Sequence, residues 1–508
     1  MINANTPAAK LPTDIYTLQQ MVLQLLADVD AKTHRLQDLQ NQLDWFKRHT
    51  FGRRSEKWDP HQKLLFEALE KQVKSRQAEI LASRRSSESM AKKESHRNGR
   101  KPLPKDLPRE RIEHVPEKEA LLCSTCGREK ERIGEEVTEE LDYVPASFVV
   151  RQHIRGKYAC KVCQNGVVIA DLPTRPIEKG RPGTGLLSHI LVSKYGDHLP
   201  LHRQEGIFKR HGIDIRRSTM CDWVGQSAEL LQPLVKEMKR QILLSPKIHT
   251  DDTPVPVRNG PRKQIRKGYL WVYIDMDNNV VFDYTPNRCR EGPVEFLGDY
   301  SGYIQADAYS GYDAVFEKGL ATEVGCWAHT RRKFYDAKDT DPVRGHELLV
   351  LIGQLYDIER QAKEEKLNAA EIKTLRQKYS RPILERIQQR LEAFSIEVLP
   401  KSPMGQAVGY ARGQWDALNR YLENGILEID NNLAERTLRM VVIGRKNWLF
   451  AGHDNGGHRA AIIYGLIASC KLCKIDPFAY LRDVLDRVST HPASQVADLL
   501  PANWKPSS

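Results

Sequence analysis

The sequence predicts a multidomain α/β protein: strands interleaved with helices form a core, a helical insertion splits it, and a coiled-coil helix and a cysteine-rich ribbon precede it. Three patterns carry that expectation. Short apolar stretches at 247–250, 269–274, 280–284 and 303–306 read as strands bounded by turn residues. Residues 344–425 read as almost continuously helical. A heptad run and paired cysteines lie upstream of both. At 508 residues the chain exceeds what one core ordinarily accommodates.

The heptad seam comprises Ile15, Leu18, Val22, Leu25, Val29, Leu36, Leu39, Leu43 and Phe46, with Lys32 its one polar position. Steps of four and three over that length point to self-association, and a single polar seam residue fixes register or partner number. An amphipathic helix packed on its own domain is the competing explanation. A second helical stretch spans about 60–82, after a break at 51–55. Residues 83–111 then turn polar and basic, and Pro102, Pro104 and Pro108 deny them regular structure. Arg97, Arg100 and Lys101 in this linker either touch phosphates or simply solubilise it.

Of the nine cysteines, Cys123, Cys126, Cys160 and Cys163 form two Cys-x-x-Cys knuckles. Two residues between thiols let one tight turn offer two sulfurs to one ion, so the set predicts one structural Zn²⁺ in a ribbon. Unrelated free thiols are the alternative. Cys470 and Cys473 lie in an apolar helical run with no second knuckle and read as core packing.

Around 186–245 the pattern is helical. Two helices, 201–211 and 218–231, flank the turn Gly212-Ile213-Asp214, with Ser218 or Thr219 as a candidate cap. This is the outline of a helix-turn-helix, with Arg210, Arg216 and Arg217 placed for phosphates; helix pairs joined by a glycine turn also occur without nucleic acid. Further helices are expected near 458–470 and 477–488.

Net charge is +12 and pI about 9.1. Basic residues cluster at 84–111, 151–161, 203–217 and 258–267, which favours a polyanionic partner or, on charge alone, a solvated basic surface. No apolar run is long enough to span a membrane and no secretory signal opens the chain, so a cytoplasmic, DNA-associated protein is expected.

Acids stand at informative places. Asp251 follows the first strand, with Asp252-Thr253-Pro254 after it, where proline is expected to end regular pairing. Asp307 closes the fourth strand and runs into a glycine turn. Glu435 lies on a helix that Asp430 or Asn431 can cap. On spacing alone the aspartates are equally turn residues and Glu435 an i,i+4 partner of Arg439.

The stretches H-T-D-D-T-P-V-P-V (249–257), G-Y-I-Q-A-D-A-Y-S-G-Y (302–312), C-W-A-H-T-R-R-K-F (326–334) and I-D-N-N-L-A-E-R-T-L-R-M-V-V-I-G-R-K-N-W-L-F-A-G (429–452) resemble the insertion-sequence-sixty-six family of bacterial transposases. The likeness runs from the heptad helix and F-G-R-R-S-E-K (51–57) to D-P-F-A-Y-L-R-D-V-L (476–485) and covers essentially the whole chain.

This resemblance implies an RNase H-like catalytic core in which Asp251, Asp307 and Glu435 are DDE carboxylates holding two Mg²⁺ or Mn²⁺ ions for strand cleavage and transfer. The long interval between Asp307 and Glu435 is then the helical insertion. The family usually has Asp-Glu where this chain has Asp251-Asp252, so Asp252 enters as a supporting or alternative ligand. His329 is a candidate catalytic support, and Arg331, Arg332, Arg436, Arg445 and Lys446 are candidate DNA contacts. Trp448 and Phe450 either stack on a frayed base or pack in the core.

The expected divisions are 12–82 for coiled-coil dimerisation, 83–112 for the linker, 113–175 for the zinc ribbon and 176–245 for the helix-turn-helix-like region. The catalytic core takes 246–343 with 426–455, the insertion 344–425 and a C-terminal helical element 456–508. Expected partners are double-stranded DNA, at element ends and target, a second copy or more of this chain, and small accessory transposition proteins. Two rivals are an RNase H-fold nuclease without strand transfer and a non-catalytic, zinc-containing DNA-binding regulator.

Overall fold

A computed structural model describes residues 148–154, 174–177, 182–259, 264–317 and 319–506, with the strands β1 (Lys157–Ala159) and β2 (Val167–Ile169). The heptad helix, the second helical stretch, the linker and all four knuckle cysteines lie outside the described residues. β1 and β2 pair antiparallel, Tyr158 opposite Val168, and the segment joining them carries Cys160 and Cys163. The described residues from His153 onward belong to one compact unit.

The unit opens with α1 (Thr184–Leu191), α2 (Leu201–Arg210) and α3 (Arg217–Leu244). Gly212 has φ +74°, the left-handed backbone that ends α2 and turns the chain toward α3. Neither Ser218 nor Thr219 caps α3; Arg216 holds the N-cap position and makes no side-chain bond there. α3 also runs well past residue 231, because Met220, Val224, Ala228, Leu231, Leu234, Met238 and Ile242 form one continuous buried stripe.

The sheet follows: β3 (Lys247–Asn259), β4 (Gln264–Ile274), β5 (Val280–Thr285), β6 (Tyr303–Gln305) and β7 (Thr322–Val324), with α4 (Glu291–Leu297) and α5 (Asp313–Phe316) in its connections. Strand order is β5-β4-β3-β6-β7. β3, β4 and β5 pair antiparallel, whereas β6 pairs parallel to both β3 and β7.

The expectation that Asp251 ends a strand is corrected here. β3 continues through Pro254 and Pro256 to Asn259 as a hairpin with β4. Its pairing with β6 stops at His249, so the later part of β3 has one hydrogen-bonded neighbour strand, and proline is tolerated on such an edge. Asp251 therefore stands where the sheet narrows, not where the strand stops. β4 shows the same transition: its outer half is largely exposed, and Leu270 to Ile274 are buried.

Beyond the sheet come α6 (Trp327–Ala337), α7 (Pro342–Glu364), α8 (Ala369–Leu375), α9 (Arg381–Glu397), α10 (Pro403–Gly413) and α11 (Trp415–Asn419). They bury their own core, including Trp327, Phe334, Leu348, Ile352, Leu391, Phe394 and Tyr421, separate from the core under the sheet. α12 (Asn432–Trp448), α13 (Asp454–Leu472) and α14 (Pro477–Arg487) return to the sheet's core. α13 packs on β5, and its Cys470 is fully buried, a free thiol in the core as expected; Cys473 is half-buried. Among the described residues no helix is long and apolar enough to cross a membrane.

Candidate active site

Three acids remote in sequence stand near enough, at the narrowing of the sheet, for the charges of two of them to act on the third. Asp251 lies on β3, Asp307 two residues beyond β6, and Glu435 in the first turn of α12. α12 buries Ala434, Thr437, Leu438, Val441 and Gly444 at helical spacing and packs against β3, which holds Glu435 on the flank of the buried stripe. Burial, then the charge of Asp307, pushes the Asp251 carboxyl up to about 8. Asp252 and Glu435 add to the rise, and the Asp252 N–H, which donates to Asp251 Oδ1 at 2.8 Å, opposes it. Asp307 Oδ1 is buried and accepts no hydrogen bond.

Asp252 is engaged elsewhere. The Arg288 guanidinium donates to both its oxygens, Nε at 2.9 and 3.0 Å and Nη2 at 2.6 Å. Burial raises the Asp252 carboxyl even against that arginine. Arg288 Nη2 stands 3.9 Å from Asp307 Oδ2, and its guanidinium lies 3.8 Å above the Tyr309 ring. Sequence reasoning did not single out Arg288: it sits in the turn after β5, and only the fold brings it to the acids.

The loop holding Asp307 is tightly built. Tyr309 N–H donates to the Asp307 carbonyl at 2.8 Å, the Tyr309 hydroxyl bonds the Arg288 carbonyl, and the Tyr312 hydroxyl meets Thr250 Oγ1 at 3.0 Å. Any Cβ at Gly311 would fall 2.0 Å from the Tyr309 ring, so the turn requires glycine.

Asn431 ties Glu435 to the strand of Asp251. It occupies the N-cap position of α12, yet its side chain makes no cap. Fully buried, it donates from Nδ2 to the Thr250 carbonyl at 2.8 Å and pairs Oδ1 with His249 Nδ1 at 3.0 Å. Asp430 Oδ1 instead accepts the Asn432 N–H at 3.1 Å. His249 Nε2 lies 3.4 Å from Glu428 Oε1, and Lys247 Nζ 3.3 Å from the same oxygen. Burial pushes the Glu428 carboxyl up, but His249 and Lys247 outweigh it and hold it at about 2. The Gln305 amide completes the seam by donating to the carbonyls of Glu428 and Asp430.

The remaining expected residues are dispersed around this centre. His329, on α6, has Nε2 3.7 Å from Glu435 Oε1. Arg332, Arg436 and Lys446 are exposed, and Arg331 is half-buried. Arg445 is anchored within the chain, Nη1 donating to Thr253 Oγ1 at 2.9 Å and to the Pro254 carbonyl at 2.5 Å. Trp448 is partly buried against the sheet's core, while Phe450 is exposed with Arg258 over its ring.

The model of the transposase IS66 family matches residues 179–459. The zinc-finger binding domain of transposase IS66 matches 121–164, a model described as transposase C of IS166 homeodomain matches 38–112, and the IS66 C-terminal element matches 465–502. Similar proteins from Sinorhizobium fredii (strain NBRC 101917 / NGR234) include uncharacterized protein y4jD, 34% identical over 79% of this chain and 81% of its own length. Uncharacterized protein y4qI from the same strain is 32% identical over 98% of this chain and 99% of its own.

Proposed function

Because this chain belongs to the IS66 transposase family, we propose that it binds the ends of an insertion sequence and cleaves and joins DNA at a site formed by Asp251, Asp307 and Glu435. The observation that carries the reading is that three acids remote in sequence act on one another at the sheet: burial first, then the charge of Asp307 and, least, that of Glu435 hold the Asp251 carboxyl at about 8. Acids whose charges act on one another, one with a buried oxygen lacking any partner, suit hard divalent ions such as Mg²⁺ or Mn²⁺. Asp251, Asp307 and Glu435 would hold such ions, which would supply activation of the attacking oxygen and stabilisation of the leaving one. Strand order, three antiparallel strands continued by two parallel ones, supports assigning the core to the RNase H-like class.

The chain's own residues do the placing. Asn431 sets the glutamate helix against β3, Tyr312 sets the Asp307 loop against Thr250, and Arg288 holds Asp252 away from the ligand set. Asp252 is thus a supporting residue. Arg331, Arg332, Arg436 and Lys446 would take phosphates along the scissile strand, with Arg445 fixing α12 to β3. Cys123, Cys126, Cys160 and Cys163 would hold one structural Zn²⁺, a reading that the match over 121–164 supports. The heptad helix would pair copies of the chain.

Labelled element ends with a supercoiled target test this. Asp251→Asn, Asp307→Asn and Glu435→Gln should each lower cleavage by about 10³-fold or more, since losing a metal ligand removes several kcal/mol of charge stabilisation. End binding should persist in all three. Wild-type cleavage in any variant removes that residue from the site; cleaved ends that never join identify a nuclease instead.

A further inference from the structure

Beside the acids stands a second donor set of different chemistry. Cys326 Sγ, a ring nitrogen of His329 and a Glu435 oxygen all lie within 4.8 Å of one another. Cys326 immediately precedes α6, so the Cys-x-x-His spacing puts thiol and imidazole on its first turn. Glu435 arrives from the first turn of α12, so the cluster lies where two helix N-termini meet; burial pushes the Cys326 thiol up to about 12, and a bound ion would have to displace its proton. The elements are fixed to each other: Asn431 N–H donates to Cys326 Sγ at 3.3 Å, and Trp327 N–H donates to the Ile429 carbonyl at 3.1 Å.

One further observation points to a ligand. His329 Nε2 and Glu435 Oε1, 3.7 Å apart, are within a few tenths of the roughly 3.4 Å that two ligands about 2.0–2.1 Å from a tetrahedral ion keep.

We propose that Cys326, His329 and Glu435 bind a borderline transition-metal ion, Zn²⁺ or Co²⁺, with one position open, and that its occupancy withdraws Glu435 from the hard-ion site. Sulfur and imidazole select such ions over Mg²⁺. The inhibitory half rests on the transposase reading, because it requires Glu435 to serve that site; the binding half does not.

The test uses full-length protein preloaded with one equivalent of Zn²⁺ and titrated with Co²⁺, following the thiolate-to-Co²⁺ charge-transfer band. Wild type should take up one equivalent more than Cys326→Ser or His329→Ala, and the band from that equivalent should vanish in Cys326→Ser. His329 is partly exposed, so its variant keeps the test valid should the buried cysteine variant fail to fold. Equal uptake by wild type and His329→Ala would overturn the site. In Mg²⁺-supported cleavage, with each protein normalised to its own rate without added Zn²⁺, the half-inhibiting Zn²⁺ concentration should rise at least tenfold in Cys326→Ser. Co²⁺ binding without that shift would overturn the competition for Glu435. Because the titration reads binding alone, its outcome stands even if the protein proves not to transpose DNA.

Discussion

Two clusters of buried charge invite comparison. In the helical block, Arg376 is 2% exposed and completely engaged. It forms a fork to Glu359, with Nε at 2.8 Å and Nη2 at 2.7 Å. Its remaining bonds go to the carbonyls of Tyr421, Asn424 and Leu427. At the sheet, Asp252 and Asp307 share one arginine, Arg288, which commits to Asp252 and leaves an Asp307 oxygen with nothing, and the charge of Asp307 bears on Asp251. Matched charge holds a fold together; surplus charge of one sign, maintained inside a structure, is kept for something that binds.

The largest stability effect should come from breaking the matched cluster. Arg376→Met strands Glu359 and three carbonyls, and urea unfolding should report a loss of about 3–5 kcal/mol. A loss below about 1 kcal/mol would erase the contrast. Next is Asn431→Ala, which takes the Asn431 bonds from His249 Nδ1 and the Thr250 carbonyl at a cost of about 1–3 kcal/mol. Its distinguishing sign is a fall in cleavage much larger than any fall in end binding.

The smallest effect should come from relieving the surplus cluster, and here the sign reverses. The Asp251 carboxyl is raised to about 8 in the folded state, so the metal-free folded protein holds a proton that the unfolded chain has released. Stability should therefore decline as pH rises from about 4 to about 8 and level off above. Thermal melts should show Asp251→Asn flattening that slope and Mg²⁺ suppressing it. A slope unchanged by the substitution would mean that Asp251 is not the group under strain.

Much of this was legible in the residues. The strand centres, the glycine turn after α2, the helical character of 344–425 and the core role of Cys470 follow from periodicity and turn chemistry, which are local. What failed was contextual. Pro254 reads as a terminator because proline breaks central strands, but β3 has already become an edge when it arrives. Asn431 reads as a helix cap because that is its commonest use, whereas the nearby strand competes for its amide. Arg288 carries no local signal, since its partners Asp252 and Tyr309 belong to other parts of the chain. Of the acids, spacing alone left the triad undecided; the motifs around each one supplied the expectation.

The stitch between Trp327 and Ile429 has an architectural consequence. The chain departs toward the helical lobe and comes back at practically one point, and the end of the lobe is braced on the sheet's edge, where the Gly325 N–H donates to the Ala417 carbonyl at 2.9 Å and Arg420 Nη1 to the Glu323 carbonyl at 2.6 Å. Loop-closure entropy grows only slowly with the length enclosed. A lobe mounted this way can lengthen or shorten the helices that face away from that edge, while its braced base keeps the entry and exit of the chain together.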